Sequence, residues 1–146
     1  MNGETETKIV NKNISIMNKK CKFEKSITIN TSSVWIGDPM YALSHERFAN
    51  LPDVDGPIVL DGTEIGIVHG TFYGDGSYPG SKRKEYWVDT AALSIIDGKF
   101  ANGDFLKGCE LFNLEEGPHK ITLIYEKGVF TFKVDGEEIE HIETHC

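Results

Sequence analysis

Positive charge is in short supply. Lys and Arg number 15 against 23 Asp and Glu, for a formal net charge of -8. A surface of that sign repels phosphate polymers, which disfavours a role along long nucleic acid, and no such partner is expected. Long apolar runs are missing too. No stretch approaches the ~20 apolar residues that a membrane helix needs. The first residues are polar and carry no signal-peptide pattern, so a cytoplasmic protein with no membrane partner is expected. Cysteine is sparse: Cys21, Cys109 and Cys146 form no close pair. An odd, scattered set points to reduced thiols rather than a disulfide scaffold. The sequence also lacks a Gly-rich phosphate loop ending in Lys-Ser/Thr, a G-x-S-x-G elbow and a Cys-x-x-Cys pair. No enzymatic activity and no cofactor are expected on that reading.

What is present reads as one β-rich domain over residues 1–146, with Met1 to Thr7 expected to fray because nothing there can be buried. The dominant period is two. Ile27 to Ile29, Val34 to Ile36 and Glu64 to Phe72 are β-branched or aromatic runs. Lys120 to Glu126, a Lys127-Gly128 turn, Val129 to Val134, an Asp135-Gly136 turn and Glu138 to Glu143 spell a three-stranded meander. Phe130, Phe132 and Val134 share one face of its middle strand. Asp-Gly pairs at 61, 75 and 97, and Asn102-Gly103, mark further turns. Ser44 to Asn50 is the one helical segment, ended by Pro52. The fold class is therefore all-β and mainly antiparallel, a β-sandwich or flattened barrel with one short helix.

Three features suggest a site. Trp35 to Tyr41 and Phe72 to Tyr78 both read aromatic-x-Gly-Asp-x-x-Tyr. As turn caps, Asp38 and Asp75 need only one acceptor oxygen, which Asn would keep, while Gly takes positive φ and Tyr packs back on the sheet. Second, both Trp and four of the five Tyr fall between positions 35 and 87. Rings with a polar handle favour half-wet places, and Trp35, Tyr41, Tyr73, Tyr78 and Trp87 could stack on a planar ligand. Third, Lys82, Arg83 and Lys84 form the one run of three consecutive basic residues, after the loop Gly76 to Gly80. Beside Gly74, Asp75 and Gly76, whose small residues let backbone N–H groups approach, that cluster suits a small anion. The alternatives are solvated surface for the basic run and end-capping of the core for the rings. Asp38, Asp75 and Asp89 could instead gather a divalent ion, as in a metal-dependent hydrolase. His141, His145 and Cys146 have metal-binding chemistry but no fourth partner. A third role is a structural or protein-interaction module with the aromatic loops as its contact surface.

Ile36-Gly37-Asp38-Pro39-Met40-Tyr41, Gly74-Asp75-Gly76-Ser77-Tyr78-Pro79 and Val88-Asp89-Thr90 resemble a family of small phage and bacterial proteins. Its members carry, in this order, a D-P-C-Y-like, a G-D-G-x-Y-P and a V-D-S/T-G-like element. The resemblance spans roughly positions 33 to 97. Met40 stands where Cys is usual, which argues against a catalytic thiol, and Ala91 stands where Gly often follows. Small phage proteins of this kind include sponges that sequester cyclic-nucleotide signals of antiphage defence (anti-CBASS). The resemblance thus implies a cyclic dinucleotide as the ligand and immune evasion by sequestration. Mobile Gly-rich loops suggest in addition a homo-oligomer whose neighbours clamp them.

Overall fold

The computed structural model describes residues 22–43, 55–71, 74–82, 85–101 and 108–144. The helix expected at Ser44 to Asn50 lies outside them, as do Met1 to Thr7, Tyr73, Arg83, Lys84, Asn102-Gly103, His145 and Cys146.

The chain forms β1 (Lys22–Gly37), a four-residue helix α1 (Pro39–Ala42), β2 (Gly56–Leu60), β3 (Thr63–Gly70), β4 (Gly76–Tyr78), β5 (Tyr86–Val88) and β6 (Ala92–Asp97). A 3-10 turn (Gly98–Phe100), β7 (Glu110–Glu126), β8 (Val129–Val134) and β9 (Glu137–Glu143) complete it. Seven strands make one sheet in the order β2-β3-β6-β1-β7-β8-β9, and β4 and β5 make a two-stranded ribbon. All pairs are antiparallel. The fold is all-β with a short helix, sandwich-like because the ribbon packs on the large sheet. Among the described residues that sheet does not close on itself, so of the two alternatives the sandwich holds rather than the flattened barrel.

Two expected short strands, around Ile27 and Val34, are one sixteen-residue strand. Its register against β7 shifts between Thr31 and Ser33. The shift reverses which parity faces inward. Ile27 and Ile29 join the main core before it, and Val34 and Ile36 after it. The main core also takes Ile67, Leu93, Ile95, Ile121, Leu123, Phe130, Phe132 and Ile142 from the sheet, with Tyr86 and Val88 from the ribbon. Trp35 falls on the opposite face. There it packs with Ile58, Ile65, Ile96, Cys109 and the Ala42-Leu43 end of α1 in a second core. The half of the sheet nearest β2 is therefore covered on both faces.

The meander is as expected, with Phe130, Phe132 and Val134 all buried. Its turns have the left-handed pairs of a type I′ hairpin: φ 53° and 85° at Lys127-Gly128, 53° and 88° at Asp135-Gly136. Asp61-Gly62 is built the same way between β2 and β3. Asp97 instead caps the 3-10 turn, its carboxylate accepting from the Lys99 amide at 3.0 Å. Beyond β9, residues 79–81 run alongside the strand: Ser81 N–H donates to His141 O at 2.9 Å and Gly80 bridges Ile142. That segment blunts a sheet edge which would otherwise present unpaired backbone groups.

Candidate functional site

Asp38 follows β1 and caps α1, and Pro39 supplies the first helical residue, where a missing N–H costs nothing. Oδ1 accepts from the Met40 amide at 2.9 Å. The carboxylate also reaches across to the turn between β5 and β6. Oδ2 accepts from Asp89 N–H at 2.7 Å and Thr90 N–H at 2.8 Å, and Oδ1 accepts from the Thr90 hydroxyl at 2.6 Å. Asp38 is fully buried, and both oxygens are saturated by neutral donors. The expectation that one acceptor oxygen would suffice is corrected here, because two separate chain segments depend on the two oxygens.

Asp75 fastens the same turn from the other side. Its Oδ1 accepts from Ala91 N–H at 2.8 Å. Ala91 sits at φ 55°, a strained conformation for a residue with a Cβ, and Thr71 N–H holds its carbonyl at 2.9 Å. Tyr41 donates its hydroxyl to the Asp89 carboxylate. Two of the motif segments, through Asp38 and Tyr41 and through Asp75, thus converge on the third at residues 89–91. The chemistry at that point is a set of anions bound by backbone amides. No group of three or more His, Cys, Asp or Glu side chains able to hold a metal ion occurs among the described residues. Gly74 takes φ 82°, as a turn glycine, and its carbonyl receives the Tyr78 hydroxyl at 2.9 Å. Tyr78 therefore packs back over its own turn.

A second buried carboxylate fixes the next loop. Glu140 of β9 is fully buried. Its Oε1 accepts from Ser81 N–H at 2.8 Å, Ser81 hydroxyl at 2.5 Å and His141 N–H at 2.7 Å. Its Oε2 accepts from the Tyr86 hydroxyl at 2.5 Å, and Lys82 N–H is shared between the two oxygens at 3.1 and 3.2 Å. Gly80 is required for this docking, since a Cβ there would lie 2.5 Å from the Tyr86 ring and 3.0 Å from Glu140. The side chain of Lys82 stays exposed on this fixed backbone.

The expected stacking rings do not form one surface. Trp35 is completely buried in the second core, so no ring face meets solvent; its Nε1 has no hydrogen-bond partner among the described residues. Tyr78 pairs with Tyr86 across the ribbon and shares its inward side, whereas Trp87, opposite Ser77, faces the other way. Trp87 is half-buried against Gly108, where a Cβ would stand 2.6 Å from Cγ of the indole. Tyr41 is half-buried within α1, and Gly76 and Asp75 are exposed.

Sequence reasoning passed over Glu140 and His69, and Thr90 entered it only as the last residue of the Val88-Asp89-Thr90 element. His69 ends β3 at the rim of the main core, stacked on Tyr125 at 4.1 Å and tilted against Phe23 at 4.8 Å. Its Nε2 lies 3.2 Å from the Asp55 carboxylate, which also accepts from Gly70 N–H at 2.9 Å. Its place in an alternating run marked it only as a strand residue. No family model, curated protein or solved structure matches the chain.

Proposed function

We propose that the protein is a non-catalytic binding module for a small anionic ligand of the nucleotide class, with a cyclic dinucleotide as the form its motifs suggest. It would act by sequestration in the cytoplasm. The observation that carries this reading is the Glu140 anchor. It takes the backbone amides of Ser81 and Lys82 into a buried carboxylate, so the start of the basic segment is already ordered. Lys82 is exposed on that support, and Arg83 and Lys84 follow it in sequence. A binding loop that is ordered before the ligand arrives loses less conformational entropy on binding. Trp87, on the outer side of the ribbon, is the ring best placed to add a stacking surface. Asp38, Asp75 and Asp89 are scaffold in this account. A role as metal ligands would require Asp38 to release the turn it now holds. A homo-oligomer that closes over the Gly74 to Gly76 turn belongs to the same proposal.

The test is direct. The protein is mixed with a cyclic dinucleotide, freed of unbound ligand by gel filtration and heat-denatured, and the supernatant is chromatographed. Intact ligand is the expected result. A cleaved product would favour the hydrolase built on Asp38, Asp75 and Asp89. No retained ligand, together with a stoichiometric protein partner on co-purification, would favour an interaction module.

A further inference from the structure

The β1–β7 ladder has one interruption. Thr31 pairs with Gly117 but Ser33 pairs with Asn113, so residues 114–116 of β7 leave the register. His119 lies just past that bulge, opposite Ile29, with its side chain 13% exposed. Nε2 faces the Glu115 carbonyl at 2.5 Å, and Nδ1 faces the Asp135 carboxylate at 2.7 Å. Both partners are acceptors. Both bonds therefore exist together only when both ring nitrogens carry a proton. Asp135 is itself fixed at the tip of the β8–β9 hairpin: its Oδ1 accepts from Lys120 N–H at 2.9 Å, and its own N–H donates to Lys120 O at 2.8 Å.

We propose that His119 is a proton-operated latch that ties the β7 bulge to the β8–β9 turn. The charged groups facing the ring are Glu115 from its own strand and Asp135 from the turn; Ile29, its partner on β1, is uncharged. The Glu115 carbonyl first and the Asp135 carboxylate second hold His119 above its ordinary value of 6.5, against a smaller effect of burial. The bond from His119 and then the Lys120 amide hold Asp135 below 3.8. The signs define a window. A histidine made more basic by folding stabilises fully below 6.5, and the contribution is lost as pH rises through its folded value. A carboxylate made more acidic stabilises fully above 3.8, and the contribution is lost as pH falls through its folded value. The latch is closed between those limits. Above them the neutral ring keeps one donor, and one of the two tethers lets go.

The test is an NMR titration of the full chain, following the His119 ring nitrogens and the backbone amides of residues 115–117 and Gly136. The expected result is a His119 midpoint above 6.5, with those amides shifting at the same midpoint. The Asp135→Asn variant separates the latch from the fold. Asn before Gly is a preferred pair for this turn and keeps an acceptor for Lys120 N–H, so the hairpin survives while the charge is removed. In that variant the His119 midpoint moves down. A wild-type midpoint at or below 6.5, bulge amides that do not follow it, or a midpoint unchanged by Asp135→Asn would each overturn the proposal.

Discussion

Replacing one carboxylate oxygen by an amide separates the two echoed aspartates. At Asp38 the new NH2 group has nowhere good to go. In place of Oδ2 it meets the amides of Asp89 and Thr90, neither of which can turn away. In place of Oδ1 it can donate to the Thr90 hydroxyl, which rotates to accept, but the Met40 amide then loses its acceptor. The second arrangement is the better one. It leaves a part-buried N–H unsatisfied, at a cost of roughly 1–3 kcal/mol. It also turns the remaining charge-assisted bonds into neutral ones about half as strong. Asp38→Asn is therefore expected to destabilise by about 3 kcal/mol, on the magnitudes for hydrogen bonds to charged groups. At Asp75 only Oδ1 is used among the described residues, by Ala91 N–H at the surface, and Asn keeps that oxygen. Its cost should stay within about 0.5 kcal/mol, the range of ordinary surface substitutions. Urea unfolding of both variants, with midpoint and slope fitted together, reads the difference. Two variants of equal stability would refute the claim that Asp38 clamps two segments with two oxygens.

Three further outcomes are expected. Phe132, fully buried in the main core, should cost about 3–5 kcal/mol as Phe132→Ala in urea unfolding; a loss under about 1 kcal/mol would mean that this face can collapse around the gap. Gly80→Ala forces a methyl group against the Tyr86 ring, so a loss of about 1–3 kcal/mol is expected, with faster hydrogen exchange at Ser81 and Lys82. Lys82→Ser should weaken binding of a cyclic dinucleotide while leaving the melting temperature nearly unchanged, since an exposed charge contributes little to stability; unchanged affinity would leave Lys82 as solvated surface.

The parts of the fold legible in the sequence are those whose signals are local. Phe130, Phe132 and Val134 alternate between two type I′ turns, and the meander follows from them. β1 read as two pieces because the register shift at Ser32 reverses parity, and a period-two reading breaks wherever parity does. The first half of β7 was hidden by its polar residues: Asn113, Glu115 and Glu116 are exposed, and Glu110 takes a half-buried place in line with Phe112 and Leu114. Trp35 was misplaced because this end of the sheet is covered on both faces: the shifted parity moves it from the main core to the second core, and both are closed to a ligand. Glu140 could not be found locally. It sits among Glu137, Glu138 and Glu143, and what sets it apart is donors that arrive from Ser81, Lys82 and Tyr86, more than fifty residues earlier. Asp38 was recognised as a turn residue, but its second oxygen is spoken for by Asp89 and Thr90, which only the folded chain brings near.

The central claim, binding without chemistry at the basic segment that Glu140 anchors through Ser81 and Lys82, is tested most directly by calorimetric titration of the protein with a cyclic dinucleotide, followed by chromatography of the ligand recovered from the cell. Saturable binding, weakened in Lys82→Ser, with all of the ligand recovered intact, is the predicted result. No heat of binding, or recovery of a hydrolysed product, would contradict it.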